Sequence, residues 1–157
     1  MLEIEPKGDR EIVITRNFSA PRELVWRCHT VPALVKRWLL GPPGWTMPVC
    51  EIDLRVGGKY RYEWRHADGR SMGLGGVHRE IDAPAKLVAT QLFDEDWTGG
   101  ETLCAFAFTP LGDMTRSTQT IAYSTPQARE AALKSPMRQG MEMSFAALDA
   151  LFAEIGG

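Results

Sequence analysis

The feature that most constrains this chain is a run of six strand-like segments, separated by short turns and followed by one long helical stretch. The segments alternate in polarity or are rich in β-branched and aromatic residues, and they span about 45–55, 58–66, 71–82, 86–94, 101–109 and 114–124. The breaks hold turn residues: Gly57-Gly58, Asp68-Gly69, Ala83-Pro84, Gly99-Gly100 and Leu111-Gly112-Asp113. Because parallel neighbours would need long crossovers, these short connections predict an antiparallel meander.

Ahead of the meander, the pattern predicts one more strand and two short helices. Residues 10–18 alternate with period two and are rich in β-branched residues, which is typical of a strand. The segment SAPRELVWRCHT then predicts a helix, with Ser19 as its cap and Pro21 in its first turn. A second short helix is predicted within VPALVKRWLLG, ended by Gly41.

The carboxy-terminal segment is predicted to be helical from about Pro126 to Glu154, with a break at Pro136. Beyond the break, one helix face is formed by positions three or four apart: Met137, Met141, Ser144, Leu148, Leu151 and Ile155. Gly140 lies on or beside this face, where it allows close approach or leaves a gap. A single amphipathic helix can bury its stripe only against the concave face of the sheet, which predicts an α+β fold.

Length and charge exclude several classes of protein. At 157 residues, the chain is expected to form one domain over residues 1–157. Its net charge of −2, with mixed signs, argues against a nucleic-acid surface. No apolar stretch is long enough to insert into a membrane, and the amino end lacks a secretion signal. Three cysteines without a CxxC pair fit a reducing compartment, so a cytoplasmic protein is predicted.

Several segments occur in the order found in a known family: ITRNFSAPRELVW, RWLLGPPGW, CEIDLRVGGKYRYEW, GVHREIDAPAKLV and MRQGMEMSFAALDALFAEI. Over residues 10–155 the chain resembles the bacterial homologues of the activator of heat-shock protein 90 ATPase, in the START-like (SRPBCC) superfamily. The resemblance implies a helix-grip (START-like, Bet v-like) fold, in which a curved antiparallel sheet wraps the carboxy-terminal helix and encloses a ligand-sized cavity. Two departures lie where the family's cavity opens. RWLLGP replaces the usual RWWGP, and Pro136 replaces a glycine.

Three aromatic rings on one strand are predicted to face the interior. Tyr60, Tyr62 and Trp64 share one face, and charged residues occupy the other. Buried tyrosine hydroxyls need partners, and the same alternation on neighbouring strands turns four polar side chains inward: His78, Gln91, Ser117 and Gln119. An apolar pocket with a few convergent polar groups is typical of a small-molecule site. A one-residue bulge would instead turn these groups to solvent, so a plain core stays open as an alternative.

The predicted ligand-binding residues combine these rings and polar groups with apolar wall positions. They are Trp38, Trp45, Tyr60, Tyr62, Trp64, Met72, Leu74, His78, Gln91, Phe93, Phe106, Phe108, Ser117, Gln119, Met137 and Met141.

Metal binding and catalysis receive less support from the sequence. His29 and His66 are predicted to be exposed, and no group of ligands has metal-binding spacing, so neither a metal nor a cofactor is expected. No GxSxG elbow is present. The one weak catalytic candidate is His78, which Glu80 on the same strand could serve as an acid–base partner. Residues 73–76, GLGG, lack the features of a phosphate loop and predict a bulge-prone strand.

Three functions remain open at this level. The sequence favours a non-catalytic carrier or sensor of a small hydrophobic ligand, such as a lipid, polyketide or aromatic metabolite. The superfamily also implies an aromatase/cyclase-type enzyme using His78 or a pocket tyrosine, and the family name implies a co-chaperone that activates an ATPase. A homodimer could form through a strand edge or through the loop that holds Trp97.

Overall fold

A computed structural model describes residues 2–95 and 99–156. Trp97, a candidate contact residue, lies outside these residues. The strands are β1 (Glu3–Lys7), β2 (Glu11–Phe18), β3 (Trp45–Ile52), β4 (Lys59–His66), β5 (Ser71–Asp82), β6 (Lys86–Phe93), β7 (Thr102–Leu111) and β8 (Met114–Ala122). The helices are α1 (Arg22–Thr30), α2 (Pro32–Val35), α3 (Pro126–Leu133) and α4 (Met137–Ile155).

The described strands form one curved antiparallel sheet in the order β1-β2-β8-β7-β6-β5-β4-β3. From β3 to β8 each strand pairs with the next in sequence, which confirms the predicted meander. The first strands join this meander because β2 pairs with β8 in register from Glu11↔Ala122 to Phe18↔Thr115. Helices α1 and α2 then carry the chain from β2 to β3 at the opposite edge.

Helix α4 buries its stripe against the sheet, as the spacing of its apolar residues predicts. Leu148, Leu151 and Phe152 pack with Phe18 on β2 and Phe108 on β7. The Phe18 and Phe152 rings meet edge to face with centroids 5.7 Å apart. The prediction that Ile155 continues this buried face is wrong, because Ile155 is 39% exposed in the last turn of the helix.

Three local features differ from the sequence predictions. Strand β1 was not predicted; its charges and Pro6 obscure the alternation, but an edge strand paired only with β2 tolerates them. Helix α1 begins after Pro21 without a side-chain cap, so the role given to Ser19 is wrong. Helix α2 ends at Val35, well before Gly41.

The described helices include none that is long and apolar enough to cross a membrane.

Candidate functional site

A cavity of about 440 Å³ lies between the concave face of the sheet, α4 and the loop that follows α2. Its wall is mostly aromatic and aliphatic. Its volume falls within the range of roughly 300–1,000 Å³ found for small-molecule sites. Among the described residues that line it there is no Asp, Glu, Lys or Arg.

Most of the sixteen predicted ligand-binding residues lie on this wall. They are Trp38, Trp45, Tyr60, Tyr62, Trp64, Met72, Leu74, His78, Gln91, Phe93, Phe106, Gln119, Met137 and Met141. The structure places Phe108 and Ser117 elsewhere. Phe108 is buried against Trp26, with ring centroids 6.2 Å apart, and Ser117 is its cross-strand neighbour on β8. Alternation predicted their inward direction correctly, but α1 covers this end of the sheet. Ligand contact at the lining residues stays a prediction.

The three rings of β4 stand in a row along the wall. The centroids of Tyr60 and Tyr62 are 5.2 Å apart, and those of Tyr62 and Trp64 are 5.9 Å apart. The Tyr60 hydroxyl donates to the Thr90 carbonyl at 2.6 Å, and Trp64 Nε1 donates to the Leu39 carbonyl at 2.7 Å. No described residue is hydrogen bonded to the Tyr62 hydroxyl, so this polar group of the row stays available to a ligand.

Gly76 explains how Tyr60 reaches across a neighbouring strand. Tyr60 lies opposite Gly76 on β5, yet its hydroxyl bonds to Thr90 on β6. A Cβ at position 76 would lie 2.8 Å from Tyr60 Cε1 and would overlap the Thr90 carbonyl oxygen. The ring therefore lies over a backbone that only glycine leaves bare. The glycines of the GLGG segment lie in β5, as predicted.

Two amides and a thiol form a polar group in the middle of the sheet. The Cys104 thiol donates to Gln91 Oε1 at 3.0 Å. Burial raises the pKa of Cys104 to about 11, and hydrogen bonding to its sulfur by the Thr102 and Gln119 side chains offsets only part of this effect. Because the thiol is protonated at neutral pH, Cys104 is a hydrogen-bonding wall residue and not a nucleophile.

His78 lines the cavity, but the acid–base pair predicted for it is wrong. His78 is buried, with Nδ1 3.1 Å from the Asp53 carbonyl oxygen. Glu80 instead points to solvent and forms an ion pair with Lys86 at 2.9 Å. The cause is a bulge in β5, where the register shifts between His78 and Glu80 so that the two side chains leave opposite faces.

His29 also lines the cavity, contrary to the prediction that it is exposed. It is partly buried and lies on the inner side of α1, surrounded by the rings of Trp38, Phe106 and Phe108 at centroid distances of 5.0, 5.4 and 5.0 Å. Position 29 follows Val25 by four residues, and this spacing on a helix whose buried residues include Val25 was the signal that could have identified it. The other histidine predicted to be exposed, His66, is partly buried beside Trp45.

The loop after α2 closes one side of the cavity through three hydrogen bonds. Trp38 Nε1 donates to the Cys28 carbonyl at 2.8 Å, and Trp64 Nε1 donates to the Leu39 carbonyl. The Gly41 amide donates to Ser144 Oγ on α4 at 2.9 Å. The segment that departs from the usual RWWGP is therefore fixed to both the sheet and α4. Gly140, one turn before Ser144, lines the cavity and leaves open space where a side chain would stand.

The described residues contain no cluster of three or more potential metal ligands.

Comparison with protein families gives one match that spans most of the chain. The family model of activator of Hsp90 ATPase homolog 1-like proteins matches residues 19–153. The chain belongs to this family. This match confirms the resemblance inferred from the sequence motifs. The curved antiparallel sheet with its long carboxy-terminal helix confirms the helix-grip fold that the resemblance implied. No curated protein sequence gives a significant match.

Solved structures extend the likeness to the whole of the fold. A protein from Rhodobacter sphaeroides is 32% identical, with 99% of this chain and 100% of that chain covered and a TM-score of 0.93. A protein from Chromobacterium violaceum is 27% identical, with 92% and 97% covered and a TM-score of 0.77. A third, from Arthrobacter aurescens, is 25% identical, with 97% and 91% covered and a TM-score of 0.83.

Proposed function

We propose that the protein binds one small, predominantly apolar molecule between the sheet and α4, as a carrier or sensor that does not change its ligand chemically. The observation that supports this most directly is the cavity itself, about 440 Å³ with a wall of rings and aliphatic side chains. The three described cysteines are free, which supports a reducing, cytoplasmic location for such a carrier.

The size of the cavity argues that it is not a packing defect. Its volume of about 440 Å³ is well above the roughly 150 Å³ of a cavity left by one missing core side chain. Because the cavity is partly open to solvent, either water or a ligand occupies the space. Since water needs several polar partners and this wall offers few, an apolar ligand fits better.

The alternatives have less support from the described residues. An aromatase/cyclase-type enzyme based on His78 loses its carboxylate partner, because Glu80 pairs with Lys86 outside the cavity. A co-chaperone function rests on the name of the family. A homodimer through the edge strands β1 or β3 is a further proposal that native mass spectrometry would test.

The neutral fluorescent probe N-phenyl-1-naphthylamine tests the proposed function. Wild-type protein is expected to take up one probe per chain, with strong enhancement of its fluorescence. Gly140→Phe places a ring in the open space beside α4 and is expected to weaken uptake about tenfold or more. Gly140→Ala is the matched control and is expected to lose little affinity, because a methyl group there meets no atom within 4 Å.

Two results would contradict ligand binding at this site. One is the absence of stoichiometric uptake by the wild-type protein. The other is equal uptake by wild type and Gly140→Phe when circular dichroism shows that both are folded.

A further inference from the structure

His29 is a polar residue in the cavity wall whose environment does not require an imidazole for packing. Three aromatic rings surround it, and phenylalanine would pack among them without the cost of burying a polar ring. The described groups in contact with it on neighbouring elements, Trp38, Phe106 and Phe108, carry no charge. Burial lowers the pKa of His29 to about 4, so the ring is neutral at physiological pH.

One hydrogen bond fixes which ring nitrogen carries the proton. Nδ1 lies 2.8 Å from the Val25 carbonyl oxygen, one turn earlier in α1. A carbonyl oxygen can only accept, so Nδ1 is the donor and the neutral ring keeps an unprotonated Nε2. No described residue is hydrogen bonded to Nε2. Among the described residues, Arg22 Nε is the only fully buried side-chain nitrogen or oxygen that lacks a hydrogen-bond partner. His29 Nε2 also lacks a partner, so it is not fully buried. Nε2 is therefore accessible, and the accessible space beside His29 is the cavity.

The remainder of the wall restricts the charge of a ligand. Its polar groups are hydroxyls, amides, two imidazoles and a protonated thiol, and the described lining residues include no Asp, Glu, Lys or Arg. An ionised ligand would lose its hydration without gaining a counter-ion, which is strongly unfavourable. A carboxylate, in addition, cannot donate a hydrogen bond to an unprotonated Nε2.

We propose that the ligand is an uncharged apolar or aromatic molecule with a hydroxyl group, and that His29 Nε2 selects it by accepting the hydroxyl hydrogen bond. This inference rests on the proposed function and adds the ligand class and the residue that recognises it. It separates phenols and alcohols from fatty acids and other carboxylates of similar apolar size.

Isothermal titration calorimetry at pH 7 with three probes of related shape tests this proposal. The probes are 2-naphthol, which donates a hydrogen bond; 2-methoxynaphthalene, which cannot donate; and 2-naphthoate, which is charged. Wild-type protein is expected to prefer 2-naphthol over 2-methoxynaphthalene by about 3- to 10-fold, the effect of one hydrogen bond, and to bind 2-naphthoate more weakly than either.

Two variants separate recognition by His29 from a general effect of losing a histidine. His29→Phe keeps a ring of similar size and is expected to abolish the preference for 2-naphthol while it retains 2-methoxynaphthalene binding. His66→Phe makes the same change at a histidine that does not line the cavity, and it is expected to keep the wild-type preference.

Each contrary result has a distinct meaning. If the wild type binds 2-naphthol and 2-methoxynaphthalene equally, or if His29→Phe keeps the preference, recognition by His29 is wrong while the apolar site stands. If 2-naphthoate binds as tightly as 2-naphthol, the requirement for an uncharged ligand is wrong. If none of the probes binds, the proposed function fails, and the inference fails with it.

Discussion

Gly76→Ala is expected to destabilise the protein by about 2–4 kcal/mol, although it adds only one methyl group. The new Cβ would overlap the backbone carbonyl oxygen of Thr90 and press on the Tyr60 ring. To relieve this overlap, β5 must move away from β6. That movement weakens two bonds at the same point, from the Tyr60 hydroxyl to the Thr90 carbonyl and from the Val77 amide to Thr90 Oγ1.

Urea unfolding followed by circular dichroism measures this loss, which corresponds to a decrease of roughly 5–15 °C in Tm for a domain of this size. Gly140→Ala is the matched control. It makes the same substitution in open space within α4 and is expected to stabilise the protein by about 0.5–1 kcal/mol. Tyr60→Phe, which removes only the hydroxyl, is expected to lose about 1–2 kcal/mol. Wild-type stability in Gly76→Ala would show that the strands adjust freely and that Tyr60 does not depend on a bare backbone.

The parts of the fold that the sequence predicted are those that depend on periodicity. Alternation located the six strands of the meander, and the spacing of Met137, Met141, Leu148 and Leu151 located the inner face of α4. Because period two also fixes which side of a strand is buried, most of the cavity wall followed from the same pattern. The break at Pro136 was readable because proline cannot continue the preceding helix.

The wrong predictions arise from tertiary contacts, which a local sequence pattern does not reveal. Phe108 and Ser117 point inward, but α1 covers that end of the sheet, and the sequence does not say where α1 packs. Glu80 points away from the cavity because β5 has a bulge of one extra residue, and the residue types around the bulge do not reveal it. His29 appeared to be an exposed polar residue because the rings that surround it come from other parts of the chain: the segment after α2, and β7.

These failures also change the functional argument. His78, the catalytic candidate of the sequence analysis, has no carboxylate partner in Glu80, which pairs with Lys86. His29, in contrast, has a tautomer fixed by its bond to Val25 and lines the cavity. One aromatic wall thus holds Tyr62 on the sheet and His29 on α1, both with polar atoms that no described residue uses. We therefore expect this site to bind a neutral molecule through separate polar points.

His29 is also expected to make stability depend on pH, which gives a test that needs no ligand. Burial lowers its folded-state pKa from 6.5 to about 4, so between these values the unfolded chain binds a proton that the folded protein does not. The contribution of His29 to the free energy of unfolding is therefore fully present above about pH 6.5 and is lost as the pH falls toward 4. Over that interval His29 is expected to contribute a decrease of about 2–3 kcal/mol in the free energy of unfolding.

Urea unfolding of wild type and His29→Phe at pH 4.5, 5.5, 6.5 and 7.5 measures this contribution as a difference. The free energy of the variant is expected to fall less steeply with decreasing pH, because phenylalanine has no proton to bind. The other titratable groups are common to both proteins, so their contributions cancel in the difference. The Asp68 and Asp94 carboxyls, whose pKa values are lowered by Arg70 and Arg61, also cancel, and their contribution is lost only near and below their usual pKa of 3.8. Parallel curves for the two proteins would show that His29 is as easily protonated in the folded state as in the unfolded chain, which would contradict a buried, neutral imidazole in the cavity wall.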